Sequence, residues 1–211
     1  MTSLLIVVGV TLVGLVTGRI ATKRAQTVEA LFEAGIATVL IALALVAFGR
    51  SLLQDSREQH AWLGRPILSS AEQLNPSPFD DVLFIGGYTY DPTLPSPQID
   101  VGEQRLVVLG DEYERIGWGE EGGTGFLKEG DTVVVRGALG ASDMFLGLDE
   151  DDMVVSADFV FRGDVEAYSA EYKPVLERRA DLTYIAGTVS FVSAALVTIL
   201  PLLQFGAKMA R

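Results

Sequence analysis

The chain has 211 residues, a formal net charge of −12 and no cysteine. The lack of cysteine excludes disulfides, thiolate metal sites and cysteine nucleophiles. Between Asp55 and Asp181 there are 26 acidic and 10 basic residues, a net charge of −16, whereas the rest of the chain has six basic and two acidic residues, a net of +4. A domain this acidic repels phosphate backbones, so nucleic acid is not an expected partner.

Three long apolar runs predict three membrane-spanning helices, at about residues 3–18, 34–53 and 184–205. The second run is uncharged from Ala34 to Gly49 and extends to Leu53 if Arg50 snorkels to the interface. The first two, within residues 1–53, predict an antiparallel transmembrane hairpin, and the lipid bilayer is an expected partner. A cleaved signal peptide is the competing interpretation of the first run. It is disfavoured because no positive residue precedes the run and no small-x-small cleavage site follows it before Arg19.

The positive residues near these runs predict an orientation. Arg19, Lys23 and Arg24 follow the first run, and the segment after the third run, residues 206–211, carries two more basic residues. Because positive residues beside a span stay in the cytoplasm, both segments are predicted to be cytoplasmic. The sequence therefore predicts a multi-pass protein of the cell membrane with its acidic domain outside.

Small residues occur inside two of the predicted spans. Gly14 and Gly18 lie in the first span, and Gly187 and Ser190 lie in the third. Such residues let helices approach closely, so they predict contact between the first and third spans, self-association, or a protein partner within the membrane. Apart from Arg50, which lies near the end of the second span and is expected to snorkel to the interface, no charged residue lies inside a predicted span, which argues against an ion pathway.

The middle of the chain predicts a β-domain. Residues 54–80 are typical of a stalk and linker, residues 81–163 alternate strand and turn signals, and residues 164–183 predict a charged helix with a kink at Pro174. A turn about every ten residues favours a small all-β domain, an antiparallel barrel or sandwich that is OB-like, without choosing between closed barrel and open sandwich. The predicted strands are Val82–Tyr90, Gln104–Leu109, Tyr113–Trp118, Thr132–Leu139, Met144–Leu148 and Phe159–Arg162.

Groups that commonly carry catalysis are isolated in this sequence. His60 is the only histidine, and its place in the stalk favours a solvated side chain. The acidic run Asp149–Asp152 lacks the spacing and the central glycine of a calcium loop, so we interpret it as a solvated turn. Further carboxylates are Asp111, Glu112, Glu114, Glu120 and Glu121. Their adjacency indicates little in so acidic a chain. No catalytic, cofactor-binding or metal-binding residue is predicted.

The glycines from Gly117 to Gly125 share only their composition with a phosphate-binding loop. No Gly-Lys-Ser/Thr follows them, and Lys128 is not at the required offset, so a flexible hairpin loop is predicted. Trp118 and Phe126 flank this loop. A core position is the default for both, while an exposed binding tip or the lining of a groove stays open.

The strand region also resembles a known family. The motif TLPSP at Thr93–Pro97 precedes RLVVLGDEYERIGW at Arg105–Trp118, and LKEGDTVVVRGAL follows at Leu127–Leu139. With the charged helix and span behind it, this pattern resembles the GIDE domain (also called BAM, beside-a-membrane) of membrane-anchored ubiquitin ligases and their prokaryotic relatives. The resemblance implies a binding role outside the cytoplasm, with Pro95–Pro97 and Gly130–Asp131 as structural turns. The zinc-binding RING of the ligases needs cysteines, so the resemblance implies no ligase activity for this sequence.

Together these patterns predict a non-catalytic membrane protein that presents an acidic β-domain for protein interaction or scaffolding, with no cofactor. An accessory or regulatory subunit of a membrane enzyme is one alternative, and a hydrolase built on His60 or a carboxylate pair is another. Twelve Arg against four Lys, with abundant acid, are typical of proteins from salt-loving organisms, although ordinary acidic proteins share this trait. We therefore expect a halophilic surface that destabilises the fold by self-repulsion at low ionic strength.

Overall fold

The computed structural model describes residues 2–24, 28–70, 81–90, 97–109, 113–118, 127–141 and 153–209. The chain separates into two units. One contains Met1–Leu63 and Leu176–Arg211, and the other contains Gly64–Val175.

The helices are α1 (Thr2–Arg24), α2 (Val28–Leu63), a short α3 (Val165–Ala167), a π-helical segment (Tyr168–Tyr172) and α4 (Lys173–Met209). Three stretches are long and apolar enough to cross a membrane, Thr2–Ile20, Gly35–Leu63 and Val165–Pro201. The expectation of three long apolar helices is confirmed to this extent. Pro174, where the sequence predicts a kink, is the second residue of α4, and α4 begins directly after the π-helical segment. Such π-helical segments commonly bend helices.

Glycines allow the helices of the first unit to pack closely. A Cβ atom added at Gly14 of α1 would lie 3.0 Å from Cγ2 of Val197 in α4, and one at Gly18 would lie 2.8 Å from Cγ of Pro201. The added atom at Gly14 would also meet Ile41 of α2, at 3.2 Å. The small face of α1 therefore contacts both other long helices.

Helices α2 and α4 meet through a second set of small residues. A Cβ atom added at Gly49 would lie 3.0 Å from the carbonyl oxygen of Gly187, and Ser190 Oγ donates a hydrogen bond of 2.7 Å to the carbonyl oxygen of Leu45. The sequence predicts that Gly187 and Ser190 contact Gly14 and Gly18 across the first and third spans. The structure instead places them against α2, because Val197 and Pro201 occupy the face of α4 that meets α1.

The second unit contains one six-stranded sheet, of which five strands close into a barrel and a short strand, Glu114–Ile116, pairs at its edge. Its strands are β1 (Asp81–Thr89), β2 (Gln98–Val101), β3 (Gln104–Leu109), β4 (Glu114–Ile116), β5 (Thr132–Ala141) and β6 (Met153–Arg162). The sheet order is β3-β2-β1-β5-β6-β4, and an additional pairing of β3 with β6 closes the ring. The sequence did not distinguish a closed barrel from an open sandwich, and this pairing shows that the barrel is closed.

Three strand expectations need correction. The barrel is not wholly antiparallel, because β3 and β4 both pair with β6 in parallel. Parallel pairing needs a long connection between the strands, and here β5 lies in that connection. The strand β2 was missed, and β6 begins six residues before the predicted Phe159, at Met153. The predicted strand Met144–Leu148 lies outside the described residues.

The barrel interior is filled by alternate residues of each strand, as the period of two requires. Phe84, Leu106, Val135 and Val155 are fully buried members of this core. Because side chains alternate, their immediate neighbours face the outer side of the sheet, where several, such as Val134 and Val154, are buried as well. On that outer side Asp100 accepts hydrogen bonds from Thr89 Oγ1 at 2.8 Å and from Arg105 Nε at 2.9 Å.

An aromatic cluster packs the π-helical segment against the outside of β6. Phe159 stacks on Tyr168, with ring centroids 6.1 Å apart, and Phe161 stacks on Tyr172 at 5.9 Å. All four rings are buried. Tyr172 Oη also donates a hydrogen bond of 2.9 Å to Glu114 Oε2 of β4, which fixes the segment to the barrel.

Candidate binding surface at the aromatic end of the barrel

Three tyrosines, a tryptophan and an arginine gather where β1 ends and β4 begins. We call this set the aromatic end, and it consists of Tyr88, Tyr90, Tyr113, Arg115 and Trp118. Tyr88 lies near the end of β1 and Tyr90 follows that strand, while Tyr113 precedes β4 and Arg115 lies within it. Because side chains alternate along a strand, Tyr113 and Arg115 share one face of β4.

Trp118 is held in place by the backbone around it. Gly117 has a φ of +73°, a conformation that residues with a side chain rarely adopt, and it turns the chain immediately after β4. The indole Nε1 of Trp118 then donates a hydrogen bond of 3.0 Å to the carbonyl oxygen of Val160 in β6. Since Val160 is also the register partner of Arg115, the ring lies beside that arginine.

The rings of the aromatic end pack edge to face or tilted. The centroids of Tyr88 and Trp118 are 5.9 Å apart with an interplanar angle of 68°, and those of Tyr113 and Trp118 are also 5.9 Å apart, at 53°. These are favourable geometries for aromatic pairs. All three rings are buried. Together they form a rigid floor.

The guanidinium of Arg115 lies on this floor. Its Cζ atom is 5.3 Å from the ring centroid of Tyr113 and 5.3 Å from that of Trp118, within the range of a cation–π interaction. The side chain is nevertheless exposed to solvent. None of the described carboxylates forms an ion pair with it, although Arg105, Arg136 and Arg162 each have one.

The phenol of Tyr88 lies within electrostatic reach of Tyr113, Tyr90 and Arg115. Burial raises the pKa of Tyr88, the neighbouring phenols of Tyr113 and Tyr90 raise it further, and the charge of Arg115 opposes them. Tyr88 therefore stays a neutral hydrogen-bonding group through the physiological range. Tyr90 is 58 % exposed, unlike the other rings, and gives the aromatic end an open apolar surface.

The tight turn at Lys128–Asp131 is hydrogen-bonded to the backbone of Tyr88 in the aromatic end. The N–H of Tyr88 donates to the carbonyl oxygen of Asp131, and the N–H of Gly130 donates to the carbonyl oxygen of Tyr88, both at 2.8 Å. The carboxylate of Asp131 accepts from the N–H of Lys128 at 2.8 Å and lies 3.0 Å from Arg162 Nε. Gly130, with a φ of +85°, and Asp131 are thus turn residues.

The other residues considered in the sequence form no common site in the described part of the chain. His60 Nε2 lies 3.3 Å from Asp181 Oδ1, with both side chains largely exposed, and Glu114 is engaged by Tyr172. Among the described residues, no three histidine, aspartate or glutamate side chains are grouped to hold a metal ion. The candidates Asp111, Glu112, Glu120, Glu121, Phe126 and Asp149–Asp152 lie outside the described residues.

Sequence reasoning considered Trp118 and left Tyr88, Tyr90 and Arg115 unassigned. The default core position of Trp118 agrees with its burial, at 5 % exposure. Two sequence features could have pointed to Tyr88, Tyr90 and Arg115. One is the Tyr-x-Tyr pair at the end of a predicted strand, and the other is the arginine two residues after Tyr113. No protein-family model matches the chain, and a search of curated proteins finds no match. The likeness to the GIDE domain therefore stays a prediction.

Proposed function

We propose that this protein is a non-catalytic, membrane-anchored binding module whose barrel receives a protein partner at the aromatic end. The observation that carries the proposal is an exposed ring, Tyr90, and an exposed guanidinium, Arg115, which both lie near the buried ring of Tyr88. Tyrosine, tryptophan and arginine are the residues enriched at the energetic centres of protein interfaces. Rigid rings also lose little conformational entropy on binding.

The packing of the spans favours the barrel as the place of partner binding. Gly14, Gly18 and Gly187 each face another helix of the same chain. A Cβ atom added at any of them would lie 3.0 Å or less from a side-chain atom of that helix. Their small faces are therefore occupied within the chain. The alternative function is an accessory subunit that binds a membrane enzyme through its spans instead of through the barrel. Self-association of two copies through their spans is a variant of this alternative.

The orientation of the barrel belongs to the same proposal. The basic residues after the first and third apolar helices place those ends in the cytoplasm, so the barrel lies on the extracytoplasmic side of the cell membrane. Its net charge of −16 between Asp55 and Asp181 then faces the exterior, where carboxylates keep the surface hydrated. A halophilic source for this surface is part of the proposal.

The natural absence of cysteine makes the orientation easy to test. Glu103→Cys places a thiol on an exposed turn between β2 and β3, and Ala207→Cys places one on an exposed position near the end of α4. A membrane-impermeant maleimide added to intact cells should label Glu103→Cys alone. It should label Ala207→Cys only after permeabilisation, and the reverse pattern would refute the orientation.

Partner binding is tested by photo-crosslinking in native membranes. A p-benzoylphenylalanine at the position of Tyr90 should give one discrete crosslinked species with a protein partner. The same analogue at Glu103, which is also exposed but lies in the turn between β2 and β3, is the control. Equal crosslinking from both positions, or none from position 90, would count against the aromatic end as the interface.

A further inference from the structure

Arg115 is an exposed basic residue that lies against aromatic rings. The segment Asp55–Asp181 has 26 acidic residues, yet none of the described ones forms an ion pair with the Arg115 guanidinium. The guanidinium is held by ring faces instead, 5.3 Å from both the Tyr113 and Trp118 centroids. A ring face engages the π-surface of the cation and leaves its N–H donors available.

We infer that Arg115 is the receptor for a carboxylate of the protein partner, received at the aromatic end. A guanidinium presents its donors in a planar fork that matches the two oxygens of a carboxylate. The two rings orient this fork before the ligand arrives, so that less side-chain entropy is lost on binding. The inference rests on the proposed binding function and names the group on the partner that the site would recognise.

The charge of the domain favours a carboxylate over a phosphate. The barrel unit lies in the strongly negative part of the chain, so any anion approaches against repulsion. A singly charged carboxylate meets about half the repulsion of a doubly charged phosphate.

The test uses the full chain in detergent and the fluorescence of Trp118. Trp62→Phe removes the other tryptophan, so that the emission reports on the aromatic end alone. Sodium acetate then replaces sodium chloride at constant ionic strength, and a second titration uses inorganic phosphate. We expect a saturable change with acetate, and its loss in the additional variant Arg115→Gln.

Two further variants separate recognition from folding. Arg115→Lys keeps the positive charge but removes the fork, and it should weaken acetate binding at least about tenfold, the effect of losing one charge-assisted hydrogen bond. Arg105→Gln is the matched control, because that exposed arginine already has Asp100 as its partner at 2.9 Å. Its acetate titration should equal that of the parent.

Each outcome decides the inference. A saturable acetate response that Arg115→Gln and Arg115→Lys reduce and Arg105→Gln does not would support it. No saturable response, a response unchanged in Arg115→Gln, or a response to phosphate alone would overturn it. These results are independent of the crosslinking from position 90, so a carboxylate site can fail while the binding function stands.

Discussion

Gly86 is a position where one added methyl group should damage the barrel. It lies in β1 beside β2, and a Cβ atom there would be 2.5 Å from Ile99 Cγ2, 2.7 Å from the carbonyl oxygen of Asp100 and 3.0 Å from Val101 Cγ2. The side chain of Ile99 is fully buried, and the carbonyl of Asp100 is part of the sheet and cannot move without the strand. Gly86→Ala therefore forces β1 and β2 apart.

The expected cost follows from overpacking in well-packed cores, typically about 1–3 kcal/mol. For a domain of about 100 residues this lowers the thermal midpoint by on the order of 10 °C. The matched control is the next residue. A Cβ at Gly87 would have no atom within 4 Å, so Gly87→Ala should be neutral or stabilise the strand by roughly 0.5 kcal/mol through backbone entropy.

Thermal unfolding of the detergent-purified full chain, followed by near-ultraviolet circular dichroism, measures this difference. The packed rings of Tyr88, Tyr113 and Trp118 contribute to that signal, so it reports on the barrel. Equal midpoints for Gly86→Ala and Gly87→Ala would refute the close approach of β1 and β2.

Four further predictions concern other contacts. Gly14→Leu should destabilise the helix unit by about 1–3 kcal/mol in detergent unfolding because it overpacks α1, whereas Gly9→Leu, with no atom within 4 Å of an added Cβ, should not. Tyr172→Phe should cost about 1 kcal/mol in a denaturant titration by removing the hydrogen bond to Glu114. Although burial raises the pKa of Asp100, hydrogen bonds from its arginine and threonine neighbours hold that pKa below its usual range. The stability this carboxylate adds is then present above its ordinary pKa near 4 and is lost as pH falls through the folded value, so Asp100→Asn should flatten that acid limb. Removing salt should lower the thermal midpoint of the parent, and an unchanged midpoint would contradict the halophilic surface.

Local patterns in the sequence predicted much of the barrel. The strands β1, β3 and β5 have alternating or continuous apolar residues between clear turn signals, and their predicted bounds lie within about two residues of the observed ones, an ordinary margin. The strand β2 has only four residues and follows the Pro95–Pro97 motif, whose turn chemistry dominated the interpretation. The parallel pairing of β3 with β6 joins residues far apart in sequence, and no local pattern encodes it.

The aromatic end shows the same limit at the level of a site. Its members come from the end of β1 and from both sides of β4, and they meet only because Gly117 turns the chain and Val160 anchors the indole. Composition marked Trp118 as a core candidate but could not show that Arg115 would lie across it. A cation–π contact depends on tertiary geometry, whereas the apolar helices depend mainly on composition.

The most direct test of the central claim is co-purification from native membranes at high salt, with a tag after Arg211. The binding function predicts that one stoichiometric protein partner accompanies the parent and the control Glu103→Ser. The same partner should be strongly reduced with Tyr90→Ser, a change at an exposed ring that leaves the buried floor intact. Equal recovery from all three proteins would contradict the aromatic end as the interface, and the lack of a partner in every preparation would contradict the binding function itself.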